Sequence, residues 1–221
     1  MALLRTLDEI AGVVLEATTR PHSPPGASRT GSGRTIIGLT GSPGAGKTTI
    51  AKALVARLNT RAPRAELVSM DGFHLPQARL VELGRRDRMG APDTFDVDGF
   101  VDLLRRLRST DGPATAPGFD RETEEATPGT VRLDAGRSIL VVEGNYLLYD
   151  RAGWERVAPL LHLSLFVGLD RSLRLARLVA RHERYGKPAT DARAWALGPD
   201  EANARLIELT RARADHEIRL G

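Results

Sequence analysis

The sequence predicts an α/β fold with a mainly parallel sheet, and two observations carry this prediction. From residue 34 onward, short apolar runs alternate with longer segments in which apolar residues recur at helical spacing. Strands and helices that alternate at these lengths are typical of parallel sheets covered by helices. In addition, 41% of the 221 residues are hydrophobic and 27% are charged, so the chain can build a folded core. At this length we expect one domain with insertions.

The N-terminal residues precede the alternating pattern. Apolar residues at helical spacing predict an amphipathic helix over 3–16. Residues 18–33 concentrate proline, glycine, serine and threonine, a composition that disfavours a helix or a central strand and predicts a linker. We therefore divide the chain into an N-terminal helix and linker over 1–33 and a main domain over 34–221.

Each element of the main domain is predicted from its own pattern of apolar residues. The sequence contains no internal repeat. Strands are predicted where short apolar runs occur, and helices where apolar residues recur every three or four positions. The predicted strands are 35–40, 66–70, 139–142 and 161–167. The predicted helices are 47–58, 97–107, 173–184 and 200–218.

Composition excludes several classes of protein. The chain has no cysteine, so it has no disulfide, no thiolate metal site and no cysteine nucleophile. No apolar run approaches the roughly 18 to 20 residues that a membrane-spanning helix needs. Arg5, Asp8 and Glu9 interrupt the N-terminal segment, which therefore does not resemble a secretory signal. We expect a cytoplasmic protein without a membrane partner.

The positive charge does not predict a nucleic-acid partner. The formal net charge is +4, and all but three of the 32 basic residues are arginines scattered along the chain. No dense basic stripe with interleaved aromatic residues occurs, as a nucleic-acid surface would require. The charge remains compatible with a nucleotide phosphate as ligand.

One motif predicts phosphate binding directly. Residues 41–48 read Gly-Ser-Pro-Gly-Ala-Gly-Lys-Thr, which fits G-x-x-x-x-G-K-[ST] between a predicted strand and a predicted helix. Glycines let such a loop wrap a phosphate with its backbone N–H groups, the lysine reaches the β- and γ-phosphates, and the hydroxyl is placed to bind Mg²⁺. The predicted triphosphate-binding residues are Gly41, Ser42, Pro43, Gly44, Ala45, Gly46, Lys47, Thr48 and Thr49.

Two acids end predicted strands on the same edge of the sheet as this loop. Asp71 follows the strand over 66–70, and Glu143 follows the strand over 139–142. The carboxyl ends of parallel strands share one edge, where ligands bind. Asp71 could accept a proton from an attacking hydroxyl or help to hold Mg²⁺, or it could cap a turn. Glu143 is predicted as a metal-side carboxylate with Thr48, with a solvent-facing acid as the alternative.

Further blocks resemble the superfamily of uridine kinases, pantothenate kinases and phosphoribulokinases. They read Ser-Met-Asp-Gly-Phe-His over 69–74, Gly-Ala-Pro-Asp-Thr-Phe-Asp over 90–96, Pro-Gly-Phe-Asp-Arg over 117–121, Val-Glu-Gly-Asn-Tyr-Leu-Leu over 142–148, and an arginine-rich stretch over 174–187. The resemblance covers about residues 34–188. It implies a P-loop NTPase fold, a three-layer α/β/α sandwich with a helical lid at about 174–190.

The resemblance also implies roles for individual residues. The family's catalytic base falls on Asp71, and the lid that covers ATP supplies Arg177 and Arg181 as catalytic residues and Arg184 as an ATP contact. On so arginine-rich a chain, any one lid arginine could instead be solvated. The expected acceptor-binding residues are Asp71, Phe73, His74, Asp93, Phe119, Arg121 and Tyr146. For His74, a structural role is the alternative.

We therefore predict a kinase that transfers the γ-phosphoryl group of Mg-ATP to the hydroxyl of a small molecule. A GTP switch is disfavoured because no Asn-Lys pair, the start of a guanine-reading motif, occurs in the chain. Asp-Gly-Phe resembles pantothenate kinases, whereas Pro-Asp-x-Phe-Asp resembles uridine kinases, so a nucleoside, a pantothenate-like molecule or a sugar stays open as the acceptor. The alternative activities are a regulatory ATPase without an acceptor and an arginine-dependent nucleic-acid binder, and a homodimer is compatible with the sequence.

Overall fold

A computed structural model describes residues 1–19 and 33–220, and its centre is a sheet of six parallel strands. In chain order the strands are β1 (Ala2–Leu4), β2 (Thr35–Thr40), β3 (Ala65–Ser69), β4 (Ala114–Asp120), β5 (Glu125–Leu133), β6 (Ile139–Glu143), β7 (Leu163–Val167) and β8 (His216–Ile218). The six-stranded sheet has the order β1-β8-β7-β2-β6-β3, whereas β4 and β5 form a separate antiparallel hairpin.

Helices cover both faces of the large sheet. They are α1 (Leu7–Thr19), α2 (Lys47–Leu58), α3 (Gln77–Glu82), α4 (Val97–Ser109), α5 (Arg171–Arg184), α6 (Ala189–Leu197) and α7 (Pro199–Glu208). The result is a three-layer α/β/α sandwich with a mainly parallel sheet, so the predicted fold class is confirmed.

Successive side chains of the central strands point to opposite faces of the sheet and build a separate core on each face. Ile37 of β2 and Val141 of β6 pack in the cluster that contains α1 and α2. Ile36 and Leu140, each one residue earlier, pack in the cluster that contains α4. Successive side chains of a strand point to opposite faces, so a strand buried on both faces reads as a continuous apolar run. This is why these strands were predictable from the sequence.

The hairpin of β4 and β5 was not among the predicted elements. It packs against the turn over 70–73, where a Cβ added to Gly72 would lie 2.2 Å from the carbonyl oxygen of Pro117. Only glycine allows this approach of two backbones. The turn of the hairpin is thereby held above the carboxyl edge of β3, which places Arg121 near the end of that strand.

At both ends of the chain, the structure differs from the predicted secondary structure. Residues 2–4 form β1 and not the start of a helix, and the N-terminal helix runs over 7–19, so residues 18 and 19 are helical. Residues 216–218 form β8, whereas a helix was predicted over 200–218. Pairing of β1 with β8 and of β8 with β7 adds both ends to the same sheet, so the segment before residue 20 shares the core of the main domain. Residues 20–32 of the predicted linker lie outside the described residues.

None of the helices within residues 1–19 and 33–220 combines the length and the apolar character that crossing a bilayer requires.

Candidate active site

The loop over 41–48 joins β2 to α2 and has a backbone that only glycines adopt readily. Gly44 and Gly46 have φ angles of 80° and 96°, in the left-handed region. A Cβ on Gly44 would also lie 2.7 Å from Cγ of Leu178 in α5. Because α2 begins at Lys47, the loop faces the positive end of the helix dipole. The local geometry is that of an anion-binding loop.

Helices α5 and α7 support this loop from behind. Ser42 Oγ donates a 2.6 Å hydrogen bond to Glu208 Oε1, so its side chain is held by a residue of α7. Arg174 of α5 donates to the carbonyl oxygen of Pro43 at 3.4 Å and forms a buried ion pair with Glu201. Ala45 is also buried, so Ser42 and Ala45 can meet a phosphate only through their backbones.

Lys47 is the buried cation of the site. The residue is 8% exposed, and Nζ donates to the carbonyl oxygen of Ser42 at 3.2 Å. Burial lowers the pKa of Lys47 to about 8, against the opposing effect of Glu143 and Asp71. A phosphate group beside the ammonium would stabilise its charged form.

Glu143 ends β6 next to the first turn of α2. Its Oε1 accepts hydrogen bonds from Ser69 Oγ at 2.6 Å and from Thr48 Oγ1 at 3.1 Å. The side chain is buried, and no ion pair with it is present among residues 1–19 and 33–220. Burial, together with the nearby Asp71, raises the pKa of Glu143. The nearby Lys47 ammonium and the hydrogen bonds from Ser69 and Thr48 oppose this rise.

Asp71 lies in the turn that follows β3. Ser69 caps this turn by accepting the N–H of Asp71, and Arg121 Nη2 donates to Asp71 Oδ2 at 2.7 Å. Burial alone would raise the pKa of Asp71, but Arg121, followed by His74 and Lys47, holds it below its usual value. The carboxylate is thus kept ionised at neutral pH.

His74 is oriented by the same turn. Its Nδ1 lies 2.8 Å from the carbonyl oxygen of Asp71. Because a carbonyl only accepts, Nδ1 carries the proton and Nε2 of the neutral ring is left as an acceptor. The ring packs between Phe95 and Phe119, at centroid distances of 4.0 and 4.8 Å. Burial lowers the pKa of His74, which favours this neutral form.

A cleft of about 370 Å³ brings these groups together under the predicted lid. Helix α5 contributes Arg177, Arg181 and Arg184, which line the cleft together with residues of the phosphate-binding loop. Arg181 is the most enclosed of them, and burial lowers its pKa. The structure therefore brings three lid arginines to the same space as Lys47 and Asp71.

Three predicted acceptor-binding residues do not line this cleft. Phe73 is 7% exposed and packs edge-on against Phe100 in the core. Tyr146 is fully buried, and its hydroxyl donates to the carbonyl oxygen of Gly90 at 2.6 Å. Asp93 forms a bidentate pair with Arg88, with distances of 2.5 and 2.7 Å, and lines a separate surface hollow. The first two act as core residues and the third as an ion-pair partner.

The cleft also contains residues that the sequence analysis missed. The side chain of His182 is 13% exposed, and its Nε2 lies 2.7 Å from Oδ2 of Asp200 in α7. Lys187 Nζ lies 4.9 Å from the ring centroid of Trp195 and 3.7 Å from Oε1 of Glu124. The chain has only three lysines, and this rarity is the sequence feature that could have pointed to Lys187 as a cleft residue.

Fold and cleft together define a P-loop kinase. The particular family is shown by comparison: the model of the phosphoribulokinase/uridine kinase family matches residues 36–187. The chain belongs to this family, as the sequence motifs predicted.

Individual relatives are similar over much of their length. An ATP-dependent kinase-like protein from Aspergillus versicolor is 39% identical over 125 residues, covering 53% of this chain and 73% of that protein. A provisionally named uridine kinase from Schizosaccharomyces pombe is 33% identical over 168 residues, covering 72% and 70%. The crystal structure of a provisionally named fructose transport system kinase from Silicibacter sp. TM1040 is 36% identical, with a TM-score of 0.85 and coverage of 97% and 99%.

Proposed function

We propose that this chain transfers the γ-phosphoryl group of Mg-ATP to a hydroxyl group of a small molecule. The observation that carries the proposal is one cleft lined by both the phosphate-binding Lys47 and the ionised Asp71. Phosphoryl transfer requires a donor site and a proton acceptor that face each other. Family membership supports the reaction class, whereas the roles of the individual residues rest on the geometry of the cleft.

The donor side would bind the triphosphate by charge. The backbone of the loop and Lys47 would contact the phosphates, and Arg177 and Arg181, which line the same cleft, would reach them from the lid. The transition state of phosphoryl transfer is loose, so most of the catalysis comes from alignment and from neutralising the charge on the transferred oxygens. Closure of the lid also excludes water, which would otherwise compete with the acceptor.

Thr48 and Glu143 fit a Mg²⁺ ion. Both offer oxygen ligands, which Mg²⁺ prefers, and Glu143 is a buried carboxylate that accepts hydrogen bonds from the hydroxyl groups of Ser69 and Thr48. A divalent cation would offset the cost of burying this charge. When bound, Mg²⁺ neutralises the negative charge of the β- and γ-phosphates.

The acceptor side would use Asp71 as the base. Arg121 occupies Oδ2, so Oδ1 can accept a hydrogen bond from the attacking hydroxyl. The hydroxyl oxygen forms a bond to the γ-phosphorus, the bond from that phosphorus to the β–γ bridging oxygen breaks, and the proton passes to Asp71. ADP and the phosphorylated acceptor are the products. His74 Nε2 is a candidate acceptor of a second substrate hydrogen bond.

The identity of the acceptor stays open among a nucleoside, a pantothenate-like molecule and a sugar. The names of relatives support all three: one is a provisionally named uridine kinase, several are pantothenate kinases, and one is a provisionally named fructose transport system kinase. The test is Mg-ATP consumption by the purified chain with uridine, cytidine, pantothenate, ribulose 5-phosphate, fructose and other free sugars. We expect one acceptor to stimulate turnover.

Two lysine variants make this test specific. Lys47→Ala should abolish turnover, whereas Lys52→Ala, an exposed lysine of the same helix, should leave it unchanged. Slow hydrolysis that no acceptor stimulates would instead favour a regulatory ATPase.

A further inference from the structure

Ser69, the last residue of β3, contacts both acidic residues of the site through a single hydroxyl group. Its Oγ accepts a 3.2 Å hydrogen bond from the backbone N–H of Asp71 and donates a 2.6 Å hydrogen bond to Oε1 of Glu143. A backbone N–H can only donate, so the hydroxyl proton is left for the carboxylate. The chemistry of the two partners therefore fixes the direction of both hydrogen bonds.

The register of the sheet brings Ser69 beside Glu143. The two residues are directly paired where β3 and β6 run parallel. Side chains alternate between the two faces of a sheet, and Leu67 and Val141, each two residues earlier, pack in the cluster that contains α2. Ser69 and Glu143 therefore lie on the face covered by α2, the helix that begins at the end of the phosphate-binding loop.

The contact with Ser69 restrains one oxygen of the Glu143 carboxylate. Ser69 Oγ and Thr48 Oγ1 both donate to Oε1, and no other hydrogen bond to this carboxylate occurs within residues 1–19 and 33–220. Glu143 lines the cleft, whereas Ser69 is not one of the described residues that do. Two hydroxyl groups thus hold Oε1, and Oε2 is the oxygen left for a ligand.

The contact with Asp71 fixes the start of the turn that carries this acid. Ser69 has an extended backbone, with φ and ψ angles of −98° and 137°, and its side chain caps the turn over 70–73. Arg121 holds the carboxylate of Asp71 from the hairpin. The backbone and the carboxylate of Asp71 are therefore restrained by different residues. Such restraints matter for phosphoryl transfer because a small displacement of a reacting group lowers the rate strongly.

We propose that Ser69 is a positioning residue, which sets the placement of Glu143 and Asp71 relative to each other through its hydroxyl group. This inference rests on the proposed kinase reaction, because it concerns the carboxylate proposed to bind Mg²⁺ and the proposed base. Ser69 acts through these two residues and does not itself contact the substrates. Without the hydroxyl, Glu143 keeps only its hydrogen bond from Thr48, and the N–H of Asp71 loses its acceptor.

Three variants of the full chain separate the hydroxyl from the rest of the side chain. Ser69→Ala removes the hydroxyl, whereas Ser69→Thr keeps it and adds a methyl group that strands accommodate. Ser69→Cys keeps the size of the side chain but has a weaker donor, and it replaces Ser69→Ala if that variant does not fold. Ser109→Ala, which removes an exposed hydroxyl bonded to the carbonyl oxygen of Arg106, is the matched control. Thermal melts check the folding of every variant.

Two measurements report on the two contacts. Mn²⁺, whose free ion gives an electron paramagnetic resonance signal, would be titrated into the chain with a non-hydrolysable ATP analogue, and into the analogue alone as the blank. Steady-state kinetics at saturating Mg²⁺, with ATP and the acceptor that stimulates turnover, would give kcat and the KM of each substrate. The first measurement does not depend on turnover.

We expect Ser69→Ala to weaken Mn²⁺ binding and to lower kcat, each on the order of tenfold, as is typical when a group that orients a metal ligand is removed. The KM values for ATP and for the acceptor should change little, because the residues that line the cleft are intact. Ser69→Thr should restore both quantities, and Ser109→Ala should behave as the wild type. A purely structural role would lower the melting temperature and leave Mn²⁺ affinity and kcat unchanged.

Two results would overturn the inference: an unchanged Mn²⁺ affinity or kcat in folded Ser69→Ala or Ser69→Cys, or losses that Ser69→Thr does not restore. If Mn²⁺ affinity falls in Ser69→Ala and recovers in Ser69→Thr while no acceptor is phosphorylated by the wild type, the positioning of Glu143 stands and the proposed kinase reaction is what fails.

Discussion

Arg121 Nη2 lies 2.7 Å from Asp71 Oδ2, and this ion pair joins the turn of the β4–β5 hairpin to the end of β3. The two residues are 50 positions apart in the chain. Their side chains are 35% and 24% exposed, so the pair is partly shielded from water at the wall of the cleft. The contact both orients the carboxylate and keeps it charged, two conditions that a general base must meet.

Replacing Asp71 tests its role as the base. Asp71→Asn keeps the size of the side chain but removes its ability to take a proton, so kcat should fall by about two to four orders of magnitude. The affinity for ATP should change little, because the phosphate-binding loop is intact. Steady-state kinetics and nucleotide titration measure the two quantities. Asp102→Asn, at an exposed acid of α4, is the control. Full activity of Asp71→Asn would disprove the assignment.

Removing Arg121 should shift the pH profile of the reaction. Arg121 is the largest of the influences that lower the pKa of Asp71, whereas burial favours its protonated form. In Arg121→Ala the pKa of Asp71 should therefore rise, and the acid limb of the kcat/KM profile should move to higher pH, because only the ionised form accepts a proton. Arg132→Ala, at an exposed arginine of β5, is the control. An unmoved acid limb would contradict this account.

Glu143→Gln tests the proposed Mg²⁺ site. Glutamine can still accept the hydrogen bonds from Ser69 and Thr48, so the fold should persist, but the negative charge is lost. The Mg²⁺ concentration needed for half-maximal turnover should rise on the order of tenfold or more. A magnesium titration at saturating ATP measures this, with Glu183→Gln on the exposed side of α5 for comparison. An identical magnesium requirement in both variants would argue against Glu143 as a ligand.

Alanine variants of Phe73 and Phe119 should differ in effect: the first should mainly lower stability, and the second should mainly weaken acceptor binding. Phe73 is a core residue in contact with Phe100, so Phe73→Ala should lower the free energy of unfolding by about 3 to 5 kcal/mol. Phe119 is only partly buried and lines the cleft, so Phe119→Ala should cost less stability and raise the KM for the acceptor. Denaturant unfolding and acceptor kinetics on both variants check the contrast. Equal losses of stability would show that the two residues do not differ in this way.

The sequence predicted the parts of the molecule that local patterns specify. The phosphate-binding loop has fixed backbone requirements, so its glycines and Lys47 are recognisable without a structure. Strands β2 and β6 are buried on both faces and therefore read as apolar runs. These elements and the fold class are confirmed.

The parts that were missed depend on contacts between distant residues. The β4–β5 hairpin has a mixed burial pattern, and its position is set by the approach of Pro117 to Gly72. His182 lies among charged residues, and its burial depends on Asp200, 18 positions later. The C-terminal strand β8 is three residues long and exists because β1 and β7 flank it. A periodicity within one segment cannot report such pairing.

The central claim is that the γ-phosphoryl group of ATP is transferred to a small-molecule hydroxyl. The most direct measurement therefore follows which product carries this group. ATP labelled in the γ-phosphate would be incubated with the chain, Mg²⁺ and each acceptor of the panel, and the products would be separated by chromatography. The account predicts that the label appears on one acceptor and that Lys47→Ala transfers none. Label that appears only as inorganic phosphate, at the same rate with and without every acceptor, would contradict the account.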